Sequence, residues 1–197
     1  MHILQASQIL QRDLPEGASS KRAAELHDEA LFKQPPPNED CDICFIQLPS
    51  DAEMIKYQPC CGKTICIGCF YAVCSGDDRI LCPFCRTPQP TAQREYMKRI
   101  KNRAEGDDAM AILMLGRYYD VGIMGLPQDM KKATELWLRA GELGCAAAYN
   151  NIGNSYHYGR GVERDLERAK HYWELAAVGG NVNARCNLGA LEEEAGN

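Results

Sequence analysis

The sequence predicts an α+β protein in which a small cysteine-rich metal module precedes an all-α helical-repeat solenoid. Three observations carry this. Of the 11 cysteines, nine fall between residues 41 and 85, eight of them in three C-x-x-C pairs and one adjacent pair. The C-terminal half repeats itself with a period of 36 to 37 residues. Proline-containing links, "QPPPNED" at 34–40 and "TPQPT" at 87–91, flank the cysteine cluster. A chain of 197 residues has room for two such small units.

The N-terminal segment, 1–37, contains one short helical pattern. In "SKRAAELHDEALFK" (20–33), Ser20 is placed to cap a helix, and Ala23, Leu26 and Ala30 share one face. The three prolines that follow cannot continue it. The rest of the segment lacks periodicity and is expected to be disordered.

The cysteine module spans 38–87. Its spacing is C-x2-C-x15-C-C-x4-C-x2-C-x12-C-x2-C, which leaves out Cys74. Clustered C-x-x-C pairs point to metal rather than to scattered core thiols, and the odd total argues against a full disulfide framework. Cysteine thiolates are favoured ligands of structural zinc, and four complete a tetrahedral shell. The eight residues Cys41, Cys44, Cys60, Cys61, Cys66, Cys69, Cys82 and Cys85 suffice for two ions.

This spacing resembles the RING finger, whose ligand pairs alternate between two zinc ions. The resemblance implies one site of Cys41, Cys44, Cys66 and Cys69, and a second built on Cys82 and Cys85. The family's usual C-G-H-x2-C appears here as "CGKTIC" (61–66), with Lys63 in place of the histidine. A lysine must lose a proton from a pKa near 10.4 before it can bind metal, so it is a poor ligand. Some RING variants use only cysteine, and the spacing of Cys61 and Cys66 fits them. On that reading Cys60 and Cys61 both complete the second site. The rival has only one of them binding, with Cys74 or water beside it.

The resemblance also implies an activity. RING ubiquitin ligases carry no catalytic nucleophile; they grip a ubiquitin-conjugating enzyme and hold its thioester in a reactive pose, which is catalysis by positioning. Ile43, Val73 and Pro83 stand at the places of the family's gripping groove, although tryptophan is common where Val73 is. Arg86 follows the last ligand, where a basic residue often touches both enzyme and ubiquitin. The alternative is that zinc only folds a module too small for a hydrophobic core, making the protein a non-catalytic scaffold.

Residues 88–106 hold a linker and the helical pattern "TAQREYMKRIKNRA" (91–104), whose Lys98, Arg99, Lys101 and Arg103 read as a solvated face. From 107 to 197 the chain repeats. "LMLGRYYDVG" (113–122) matches "NNIGNSYHYG" (150–159), and "QDMKKATELWLRAGELG" (128–144) matches "RDLERAKHYWELAAVGG" (164–180). A third copy starts at "NARCNLGALEEEAGN", with Gly189 following Gly116 and Gly153. Such a period signifies stacked helical hairpins. Gly122 and Gly159 suit the left-handed residue that ends a helix, and Asp129 and Asp165 suit N-caps. Ala133, Trp137 and Ala140 share one face, with the tryptophan expected between hairpins. The glycine inside the first helix, unfavourable by about 1 kcal/mol, marks a close approach.

The recurring Leu-Gly, Tyr, Gly-x-Gly-Val, Asp and Ala-x3-Trp-x2-Ala positions resemble the Sel-1-like repeat, a relative of the tetratricopeptide repeat. This implies two complete copies and a truncated third, with 91–104 as the opposite cap, and an adaptor role toward a protein or peptide substrate. Cys145 and Cys186 read as small core residues. His157 and His171 lie apart from the cysteine cluster and read as surface or satisfied histidines.

A net charge of −5 favours neither nucleic acid nor an anionic membrane. No apolar run reaches the roughly 18 residues of a membrane helix, and no secretory signal opens the chain. The expected setting is intracellular, cytoplasmic or nuclear, where thiols stay reduced.

Overall fold

In a computed structural model of the chain, residues 40–48, 54–75 and 80–194 are described. The expected helix at 20–33 lies outside them. The cysteine region forms a two-stranded antiparallel hairpin, β1 (Ile55–Gln58) and β2 (Lys63–Cys66), with Ile55 opposite Cys66 and Gln58 opposite Lys63. A helix, α1 (Ile67–Cys74), follows directly. Around this core Cys41, Leu48 and Ile65 are buried, with Ile43, Ile55, Phe70 and Phe84 packed against them.

The rest is a helical stack: α2 (Gln93–Glu105), α3 (Ala109–Val121), α4 (Met130–Glu142), α5 (Ala146–Tyr158), α6 (Leu166–Val178) and α7 (Val182–Glu194). Pairs α3/α4 and α5/α6 are the two hairpins, and α7 opens the third copy. The predicted boundaries are physical ones. Asp129 and Asp165 accept hydrogen bonds from the amides of Lys132 and Arg168, 2.9 and 3.0 Å away. Gly122 and Gly159 adopt φ of 74° and 66°, the left-handed turn that closes α3 and α5. Helix α2 covers the start of the stack with Met97, Ile100 and Ala104.

Two expectations are corrected. Trp137 and Trp173 do not sit between hairpins. Each lies inside its own hairpin, against the helical glycine of the partner helix. A Cβ on Gly116 would meet Trp137 Nε1 at 2.5 Å, and one on Gly153 would meet Trp173 Cδ1 at 2.4 Å. The indole needs the missing side chain, which is why the costly glycine recurs. The Trp137 indole donates to the Leu113 carbonyl at 3.3 Å, and that of Trp173 donates to Asn154 Oδ1 at 3.1 Å. Cys186 is exposed on α7 rather than a core residue. Cys145 is the half-buried N-cap of α5, and burial raises its thiol pKa.

Candidate metal centre and its joint to the repeats

The two outer C-x-x-C pairs form the same small knuckle. At the first, Phe45 N donates to the Cys41 carbonyl (2.8 Å) and Cys41 N to the Ile46 carbonyl (2.9 Å). At the second, Arg86 N donates to Cys82 O (3.0 Å) and Cys82 N to Thr87 O (2.9 Å). The residue after each pair, Phe45 and Arg86, has φ of 57° and 55°, a left-handed backbone that disfavours side chains by roughly 1–2 kcal/mol. Two knuckles thus present their sulfurs alike.

The middle cysteines are placed by the hairpin. Cys60 and Cys61 lie in the β1–β2 turn, where Cys61 N and Gly62 N both donate to the Gln58 carbonyl. Cys66 ends β2 and N-caps α1, its sulfur accepting from Cys69 N at 3.4 Å.

The outcome is two clusters. Cys41, Cys44, Cys66 and Cys69 form one, and Cys60, Cys61, Cys82 and Cys85 the other; within each, the sulfurs lie within 4.8 Å of one another. The first and third pairs make one cluster, the second and fourth the other. Cys74, at the end of α1, belongs to neither. All the cysteines are free thiols. Each cluster could hold a metal ion.

Their electrostatics fit a cation. Burial and hydrogen bonding to its neighbours push the Cys60 thiol up, and burial raises Cys61. The sulfur of Cys66 pushes Cys69 up to about 12. Hydrogen bonds from Thr87 hold Cys85 at about 6. At Cys41 burial opposes ionisation, yet the amides of Cys44, Cys66 and Ile43 outweigh it and lower the thiol to about 6. Four converging thiolates repel one another, so some remain protonated unless a positive ion replaces those protons.

Lys63 plays no part in either cluster. It is exposed and pairs with Asp42, 3.1 Å away. Among the other singled-out positions, Ile43 packs half-buried against the module core, and Val73 is half-buried on α1. Pro83 and Arg86 are exposed on the second knuckle, while Phe45 and Ile46 are exposed beside the first.

The sequence reading missed the joint between module and repeats. Tyr57 on β1 packs against the repeat core and donates to Asp108 Oδ2 at 2.7 Å. Asp108 in turn N-caps α3 through Ala111 N. Arg103 on α2 pairs with Asp108 at 3.4 Å. Gly62 lies so close to Arg103 that any side chain there would clash. Arg99 donates to the Pro88 carbonyl at 2.9 Å. The basic run on α2 is therefore only partly a solvated face: Lys98 and Lys101 are exposed, but Arg99 and Arg103 tie the helix to the module. His157 also departs from expectation. Its ring packs on Tyr158 and Trp173, and its Nδ1 is buried without a partner among the described residues.

Part of the helical stack matches a known repeat. The Sel1 repeat family model matches residues 109–145 and 146–181. Residues 109–181 are two Sel1 repeats. Among curated proteins, the chain is 40% identical over 76 residues to the ERAD-associated E3 ubiquitin-protein ligase component HRD3B of Arabidopsis thaliana, covering 37% of this chain and 13% of that one. It is 34% identical over 96 residues to human cytochrome c oxidase assembly factor 7, covering 46% and 42%. The chain thus spans under half the length of these relatives. A Sel1 repeat protein from Oxalobacter formigenes has a similar structure, with a TM-score of 0.47 and 34% identity over 49% of this chain and 39% of that one. No helix among the described residues is long and apolar enough to cross a membrane.

Proposed function

We propose that this chain is a RING-type, ubiquitin-ligase-like protein that holds two structural zinc ions and uses its Sel1 repeats to recruit a substrate or partner. The observation that carries this is the interleaving of four cysteine pairs into two four-sulfur clusters. Four sulfurs about 2.3 Å from a tetrahedral zinc lie about 3.8 Å apart. Here Cys44 and Cys66 sulfurs are 3.8 Å apart, and Cys61 and Cys82 sulfurs 3.7 Å. Zinc also suits an all-thiolate shell better than hard cations do.

In this reading Ile43, Val73 and Pro83 grip a ubiquitin-conjugating enzyme and Arg86 contacts it together with ubiquitin. The left-handed backbone at Arg86 supports that role, because glycine would fit the knuckle at less cost. No nucleophile is needed, since the module acts by positioning a thioester. The setting is a reducing compartment, cytoplasmic or nuclear.

The second reading is a non-catalytic scaffold, favoured by Val73 where the gripping groove commonly has tryptophan. Ubiquitination in vitro over a panel of conjugating enzymes separates the two. Ligase function predicts chains that Ile43→Ala and Arg86→Ala both suppress. Absence of chains with every enzyme supports the scaffold, and chains indifferent to both substitutions overturn the proposed grip.

A further inference from the structure

The two cysteine clusters stand differently toward the repeats. The first lies within the module's own core, where Ile43, Ile55 and Phe70 pack around Cys41, Leu48 and Ile65. That core is separate from the one in the stack. The second cluster is built from two pieces of chain, and each piece is fastened to the helices. Cys60 and Cys61 belong to the β1–β2 turn. Gly62, next in that turn, has the Arg103 guanidinium and the Asp108 carboxylate against it; a Cβ there would lie 2.8 Å from Asp108 Oδ2. Tyr57, at the foot of the turn, packs on the core of the stack and donates to Asp108, the N-cap of α3. Cys82 and Cys85 belong to the second knuckle. Pro88, which bridges Leu81 at its edge, accepts from Arg99 of α2 at 2.9 Å.

Between the two pieces runs the side chain of Gln58, which is 1% exposed. The Gln58 carbonyl holds the turn by accepting from the Cys61 and Gly62 amides at 3.2 and 2.8 Å. Its Oε1 accepts from Gln89 Nε2, and Gln89 N donates to the Ile80 carbonyl across the base of the knuckle. A buried amide has to be satisfied, so turn and knuckle keep their places together. An ion held by Cys60, Cys61, Cys82 and Cys85 joins the same two pieces a second time. It closes a ring that runs from the turn through Tyr57 and Gly62 to Asp108 and Arg103, along α2 to Arg99, and back through Pro88 to the knuckle. The sulfurs of Cys41, Cys44, Cys66 and Cys69 lie outside that ring.

We infer that the second metal site locks the cysteine module onto the Sel1 stack, while the first serves the module alone. The inference rests on the reading of the clusters as zinc sites. Binding at the second site and closure of the joint are then coupled. Coupling is reciprocal, so whatever weakens the joint weakens the hold on that ion by the same factor. The stack folds without metal and gains stability when the second ion is bound. A partner held by the repeats thereby stands in one orientation to the module.

The test uses the full chain, with zinc as the probe. Both tryptophans of the sequence, Trp137 and Trp173, are buried in the stack, so tryptophan emission follows the repeats alone. Native mass spectrometry counts the ions in the same samples. By tryptophan emission, chelated wild type should melt at least about 4 °C below zinc-loaded wild type, the shift that one net hydrogen bond gives a domain of about 100 residues. Cys85→Ser, at the exposed ligand of the second site, should bind one ion and lose this difference. Cys44→Ser should also bind one ion, yet keep it. Tyr57→Phe should keep two ions, show a smaller difference, and release one ion at about tenfold lower chelator concentration. Amide exchange at Ala111, which Asp108 caps, gives a second readout: zinc should slow it in wild type and Cys44→Ser but not in Cys85→Ser. Repeats that ignore zinc while two ions are bound overturn the inference. So does Cys44→Ser binding no ion, or losing the difference as fully as Cys85→Ser. Fewer than two ions on the wild type overturns the zinc reading and the inference with it, so the ion count tells the two failures apart.

Discussion

The cysteine region and the Sel1 repeats reach an ordered state by different physics. In the first, the buried apolar residues among those described are Cys41, Leu48, Ile65 and Cys82, far too few to offset the entropy of ordering the surrounding loops. Its geometry is set by turns and knuckles that aim eight sulfurs at two points. In the second, a continuous apolar core runs from Met97 on α2 to Ala184 on α7, and every hairpin is closed by an indole against a glycine. On the zinc proposal one half depends on a ligand, while the other rests on packing. Between them the joint is small and polar: Tyr57, Asp108 and Arg103. The contrast teaches where each half is vulnerable.

Chelation should produce the largest effect. Structural zinc in small modules is worth about 10–16 kcal/mol of apparent binding free energy. Strong chelator should unfold the cysteine region and leave the helical signal of the repeats in place, as followed by amide spectra and circular dichroism. Equal collapse of both halves breaks the comparison. Trp173→Ala inverts the experiment. Removing a buried tryptophan costs about 3–5 kcal/mol, so urea denaturation should show a destabilised stack while bound zinc per chain stays constant.

Tyr57→Phe probes the joint. Loss of a hydrogen bond to a charged acceptor costs about 1.5–3 kcal/mol. The expected result is a lower melting temperature for the repeats with unchanged zinc content. Burial and the Asp108 carboxylate raise the Tyr57 phenol above its ordinary value. A folded pKa above the unfolded one means that this contribution is complete below about pH 10 and disappears as pH rises through the folded value. The wild type should therefore lose its advantage over Tyr57→Phe only in strong alkali. Lys63→Ala is the smallest change. Its exposed ion pair with Asp42 is worth under about 1 kcal/mol, and zinc content should not respond.

The repeats were legible because their physics recurs. Asp129 and Asp165, or Gly122 and Gly159, repeat in register, and each pair does the same work in the structure. The place of Trp137 was not legible, since a shared helix face gives no hint of whether it turns toward the same hairpin or the next. Each C-x-x-C pair was legible as a local feature, but which pairs come together was implied only by the resemblance, since spacing alone leaves that open. The joint left no trace. Tyr57 and Asp108 are 51 residues apart, and a single hydrogen bond has no period. Arg103 looked like one more member of a charged run. Phe45 and Arg86 carried no warning of their left-handed backbones, because residue type flags that conformation only at glycine and asparagine.

The proposal that Cys60 and Cys61 both serve the second cluster is what makes the module whole despite Lys63. Zinc bound per chain, measured by native mass spectrometry on protein purified without chelator, tests it most directly. Wild type should carry two ions, and Cys60→Ser and Cys61→Ser should each carry one. A wild-type chain with a single ion, or either serine variant retaining two, contradicts the account.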